Sequence, residues 1–156
     1  MATISNVVDD GDLVTYRPKL KAREHRQRSI YISQSLKVWF DEDLPNVPCE
    51  RGHRVSPNAY THSLLKRFIT GERFVLTDEY KKLDVRQPVW TFRPQGVRVF
   101  GYFYKRAVFI GVTGALRCEL DSKGFKDKKE EVIEFIKKIN LDPPPCITSE
   151  LPKDVL

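Results

Sequence analysis

Val89-Trp-Thr-Phe-Arg93, Val97-Arg-Val-Phe-Gly-Tyr-Phe-Tyr104 and Val108-Phe-Ile-Gly-Val-Thr113 are three runs rich in β-branched and aromatic residues, separated by short breaks. Pro94-Gln-Gly96 supplies turn chemistry for the first connection, and Lys105-Arg106 sits at the second. The pattern predicts a three-strand antiparallel meander. In its middle run Val97, Val99, Gly101 and Phe103 share one face, while Arg98, Phe100, Tyr102 and Tyr104 share the other. A strand that is apolar on both faces belongs in the centre of a covered sheet.

Working outward, Asp127 to Ile139 reads as an amphipathic helix, with Val132, Ile133, Phe135, Ile136 and Ile139 inward and lysines and glutamates outward. Ser56-Pro57 is an N-cap followed by proline at the first helical position. Leu64, Leu65, Phe68 and Ile69 then recur at helical spacing until Gly71, which predicts a helix over residues 57–70. Leu36-Lys-Val-Trp-Phe40 reads as a strand running into the Asp41-Glu-Asp43 loop, and Thr77 to Leu83 as a short helical turn. Pro143-Pro-Pro145 marks the end of the ordered domain, beyond which the tail has little to pack against. The expected fold is α+β: a small antiparallel sheet, the meander plus an N-terminal strand, packed against two or three helices. Residues 1–35 form a basic arm, 36–140 the domain and 141–156 a tail.

A chain of 156 residues fits one domain and buries about two thirds of its unfolded surface, so no metal or disulfide is needed for stability. Its 17 aromatic residues suffice for a core. Cys49, Cys118 and Cys146 follow no CxxC spacing and give no disulfide framework. Cys49 and His53 lack a second ligand pair, so neither a metal site nor a cofactor is expected. GxGxxG, P-loop, HExxH and GxSxG motifs are absent from the sequence. Met1 to Asp12 is polar and acidic, unlike a signal peptide, and no apolar run is long enough to span a bilayer, which points to a cytoplasmic protein with no membrane partner.

The net charge of +6 favours polyanionic partners. Positive charge is densest over Arg17-Pro-Lys-Leu-Lys-Ala-Arg-Glu-His-Arg-Gln-Arg28, where Arg17, Lys19, Lys21, Arg23, Arg26 and Arg28 face only Glu24. Such a segment follows a phosphate backbone without reading sequence, or clasps an acidic protein. Lys105 and Arg106 extend the candidate nucleic-acid-binding set.

A strand, a helical segment and the meander together resemble the RelE/HigB superfamily of toxin proteins, including its phage-derived HigB-like branch. The match runs through Lys82-Leu83, Val89-Trp-Thr-Phe-Arg93, Gly96-Val-Arg-Val-Phe-Gly-Tyr-Phe103 and Ala107-Val-Phe-Ile110, and covers residues 80–140. Thr91-Phe92 stands where the branch has an acidic residue before its first strand arginine, and Thr113-Gly-Ala-Leu116 replaces its Phe-x-Lys-Lys ending. The resemblance implies a RelE-like domain, metal-independent RNA cleavage, binding to messenger RNA or the ribosome, and a neutralising antitoxin partner. It makes Arg93 and Arg98 the two strand arginines.

Metal-free RNA cleavage needs a base for the 2′-hydroxyl proton, a cation for the charged phosphorane and an acid for the leaving oxygen. Arg93, Arg98, Lys105, Arg106 and Arg117 are candidate cations, Tyr102 or Tyr104 could stack on a base or donate a proton, and Arg93, Arg98, Tyr104 and Arg117 form the expected catalytic set. His25, His53 and His62 all lie off the meander, and His62 reads as a packed or surface residue. Two functions stay open on these residues: an RNA-directed, toxin-like endoribonuclease, or a non-catalytic module that binds nucleic acid or an acidic protein on the same scaffold.

Overall fold

The structure is a computed structural model that describes residues 2–139 and 141–156. Helix α1 (Ile4–Asp9) is closed by a capping box between Thr3 and Asn6 and leads into strand β1 (Leu13–Thr15). After the basic segment come β2 (Ser29–Ser33) and helix α2 (Gln34–Val38), which continues through a wide turn over Trp39–Asp43 and a 3-10 turn over Leu44–Asn46. Helix α3 (Pro57–Ile69) starts at Ser56, whose hydroxyl accepts from the Ala59 amide at 3.1 Å. Strands β3 (Tyr80–Lys82), β4 (Trp90–Phe92), β5 (Val97–Lys105) and β6 (Val108–Leu116) follow, then helices α4 (Arg117–Lys123), α5 (Lys126–Ile139) and α6 (Pro152–Val155).

All six strands belong to one sheet in the order β1-β2-β6-β5-β4-β3. The three runs of the meander are β4, β5 and β6, and they occupy its middle. The expected small antiparallel sheet with two or three helices is therefore corrected: the sheet is six-stranded and mixed, and β2 runs parallel to β6 with Ser29 opposite Val108 and Ile32 opposite Gly111. Both faces are covered. Ile30, Ile32, Leu65, Phe68, Phe92, Phe103 and Phe109 form a core under α2 and α3, and Phe100, Tyr102, Ile110, Val112 and Val132 form a second core on the side of α5. Each fully buried side chain of this size is worth about 1.5–3 kcal/mol.

Four local expectations change as well. Residues 36–40 are helical, because Ser33 caps α2 by accepting from the Leu36 amide at 3.1 Å and because Leu36, Phe40 and Leu44, four residues apart, all turn inward. Residues 77–83 hold a turn and strand β3, not a helical turn. Thr77 adopts φ 77°, its amide donates to the Tyr80 carbonyl, and Tyr80 pairs with Phe92. The tail also packs: Val155 is fully buried in the first core and the Ile147 amide donates to the Phe103 carbonyl at 2.8 Å. Residues 13–15 and 29–33, within the expected arm, are strands of the sheet, and the basic segment is the connection between them. Among the described residues no helix is long and apolar enough to cross a membrane.

At the first turn of the meander, the Val97 amide donates to the Pro94 carbonyl and Gly96 takes φ 79°, the arrangement of a type II turn. Gly101 lies at a register shift between β5 and β6, where a Cβ would stand 2.0 Å from the Ile110 carbonyl oxygen. Gly101→Ala is therefore expected to lower the free energy of unfolding by about 1–3 kcal/mol in urea titration. An unchanged midpoint would contradict this packing.

Candidate functional site

Arg93 follows β4, Arg98 is the second residue of β5, and Arg117 opens α4 with its amide bonded to the Gly96 carbonyl at 2.9 Å. The tight Pro94–Gly96 turn and the start of α4 bring all three to one end of the sheet. They line a single cavity of about 300 Å³ together with Lys81, Asp121 and Phe125. Three of the four expected catalytic residues thus meet.

Arg98 is the most constrained of them. Its side chain lies on the α5 side of the sheet, opposite Ala115, and the residue is only 8% exposed. Its Nη1 donates to the Pro94 carbonyl at 3.1 Å and to the Val97 carbonyl at 2.7 Å. Burial first, and then repulsion from Arg93 and Arg117, together hold its pKa down to about 10, partly offset by Asp121 and Glu50. At neutral pH it is still a cation. A buried charge facing like charges is costly unless an anion joins it. Arg93 is half-buried and donates to the Thr77 carbonyl, while Arg117 is exposed.

Tyr104 does not join this group. It shares a face with Arg98 but lies six residues along β5, about 20 Å away at the usual rise of an antiparallel strand. Its hydroxyl donates to the Asp142 carbonyl at 3.3 Å. Tyr102 is fully buried and its hydroxyl has no hydrogen-bond partner among the described residues, so it presents no surface for a base. A catalytic set containing Tyr104 is thus separated by the geometry of its own strand.

The expected nucleic-acid-binding residues gather at the opposite end of the sheet. Arg17 and Arg26 line a cavity of about 400 Å³ with Thr15, Ser29, Tyr31 and Asp9. Lys19, Lys21 and Arg23 are exposed on the β1–β2 connection. Arg28 has a structural role: its Nη1 donates to the Phe68 and Glu72 carbonyls, and its guanidinium lies 5.2 Å from the Phe68 ring centre. Lys105 lies over the Tyr104 ring and Arg106 Nε donates to the Leu156 carbonyl at 3.1 Å.

Sequence reasoning missed Lys81, Asp121 and Phe125. Lys81 reaches the cavity only through strand register, since it pairs with Thr91, which in turn pairs with Phe100. Phe125 is 42% exposed and meets Phe100 in an edge-type contact with ring centres 6.1 Å apart, so an exposed aromatic ring stands at the cavity beside the arginines. Comparison with family models, characterised proteins and solved structures finds no match.

The cavity makes a thermodynamic prediction. Arg98→Met removes a buried cation with little change in bulk and is expected to raise stability by about 1 kcal/mol in the absence of polyanions, measured by urea unfolding. Adding phosphate should stabilise the wild type by mass action and the variant much less. A destabilised variant with an undiminished phosphate response would contradict the assignment.

Proposed function

We propose that this protein binds the phosphate backbone of RNA at the cavity of Arg93, Arg98 and Arg117, as a non-catalytic RNA-directed module. The observation that carries this reading is the convergence of three guanidinium groups, one of them buried, on one concave site with Lys81 alongside. Guanidinium groups hold phosphate oxygens through paired N–H donors, and those bonds strengthen out of water. An anion would also relieve the repulsion among the three charges. Phe125 at the mouth suits stacking of an unpaired base, which favours a single strand. The choice of RNA over other polyanions comes from the resemblance to the RelE/HigB superfamily.

Binding without cleavage is favoured by what surrounds the arginines. Cleavage needs a proton acceptor and a proton donor within reach of the reacting phosphate. Asp121 is the only carboxylate among the described lining residues, and the phenol of Tyr104 is engaged far along β5. A cleaving role would have to use Asp121 as the base.

Labelled messenger RNA, incubated with the protein in EDTA with and without ribosomes, is expected to stay intact. Its affinity for the protein should fall steeply with salt. Arg93→Gln and Arg98→Met should each weaken it and flatten the logarithmic salt dependence by about 0.7 for each phosphate no longer neutralised. Metal-independent cleavage that disappears in Arg98→Met would replace the binding reading with the toxin-like one. No salt-dependent affinity at all would refute both.

A further inference from the structure

The end of the sheet away from the arginine cavity holds a histidine in an unusual setting. His62, on α3, stacks on Tyr16 at 5.8 Å and meets the edge of Phe40 at 5.2 Å. The Tyr16 hydroxyl lies 2.6 Å from His62 Nδ1. Burial pushes the Tyr16 phenol well above its ordinary pKa and holds the His62 imidazole below its own, against the pull of Asp41 and with a smaller push from Lys37. Both groups are therefore neutral near pH 7. Phenol is the stronger acid and imidazole the stronger base, so the hydroxyl donates to Nδ1 and the ring proton resides on Nε2. Among the described residues Nε2 makes no hydrogen bond.

Tyr16 and His62 line a cavity of about 520 Å³ with Arg17, Lys19, Ser63 and Lys66. The chain is held in place here. Glu24 pairs with Lys66 at 3.0 Å and accepts from the Lys21 amide at 2.8 Å, while the Gln27 and Arg28 amides donate to the Ile69 carbonyl. The β1–β2 connection is thereby tied to α3 at several points. Arg17 and Lys19 form no ion pair or hydrogen bond among the described residues. The cavity thus combines two unpaired cations, a third shared with Glu24, a hydroxyl and a neutral N–H donor of fixed tautomer.

We propose that this cavity is a second phosphoryl-binding site, in which His62 Nε2–H, Arg17, Lys19 and Lys66 take a phosphate group and Tyr16 positions the imidazole. The donor set fits the oxygens of a phosphate, and Glu24 leaves the site cationic without neutralising it. The phosphate belongs either to a small phosphoryl compound or to a nucleic-acid strand. The site stands independently of the arginine cavity, since it shares no residue with it.

The test follows the imidazole nitrogens of the ¹⁵N-labelled full chain by NMR at constant pH and ionic strength. Inorganic phosphate is titrated in one series, and a single-stranded RNA without terminal phosphate in another. His62 Nε2 is expected to shift saturably, with His25 and His53 much less affected. Arg17→Gln combined with Lys19→Gln should weaken the response roughly tenfold, and Arg98→Met should leave the response to inorganic phosphate unchanged. In Tyr16→Phe the two His62 nitrogens should move towards averaged shifts as the tautomer is released. A response to inorganic phosphate identifies a site for small phosphoryl ligands, and a response to RNA alone identifies a strand contact. Silence of His62 in both series, or equal movement of all three histidines, would overturn the proposal. Loss of the response to inorganic phosphate in Arg98→Met would merge it with the first cavity and overturn it equally.

Discussion

Strand β5 is buried along both of its faces, and that constraint shapes the rest of the molecule. A strand of this kind has to be flanked by other strands and roofed on both sides, because nothing else removes its two apolar surfaces from water. Strands β4 and β6 meet the first need. The second is met by α2 and α3 over Phe103 and Val99, and by α5 over Phe100 and Tyr102. Covering β6 in the same way draws in β2, which pairs parallel to it and places Ile30 and Ile32 in the core under α3. The chain between β1 and β2 must then cross the hairpin end of the sheet, and this is where its basic residues are displayed.

Arg98 is the exception on that strand. At the second position of β5 it carries a charge into a row of apolar neighbours, and the tight turn at Gly96 brings Arg93 and Arg117 beside it. Desolvation and like-charge repulsion act together there, and two backbone carbonyls satisfy only part of the guanidinium. Such an arrangement stores unfavourable electrostatic energy that binding of an anion releases. The structural cost and the proposed function therefore reside in the same side chain.

How much of this was legible in the sequence depended on whether the signal was local. The N-cap and helical spacing from Ser56 to Ile69, the amphipathic run of α5 and the two-sided apolar pattern of β5 are all contained in their own residues. Strand β2 was concealed by the positive charges before it, although Ile30 and Ile32 alternate as a half-buried strand should. Residues 36–40 misled because Val38, Trp39 and Phe40 favour strands, while the deciding features were the Ser33 cap and the four-residue spacing of Leu36, Phe40 and Leu44. At the site, Arg93 and Arg98 were legible from the meander. Lys81 and Asp121 were not, because strand register and the direction of α4 are set by tertiary packing. Tyr104 shared the right face, but facing alone says nothing about distance along a strand.

If RNA meets this protein first at the arginine cavity, the nucleotides it brings there must lie against Phe125 and the start of α4. Photo-crosslinking with 4-thiouridine-substituted single-stranded RNA, followed by mass spectrometry of the crosslinked peptides, tests this most directly. The predicted result is a set of adducts within residues 117–125, centred on Phe125, that disappears when Arg98 is replaced by Met. Crosslinks confined to residues 17–31, unaffected by that replacement, would contradict it and move RNA binding to the opposite end of the sheet.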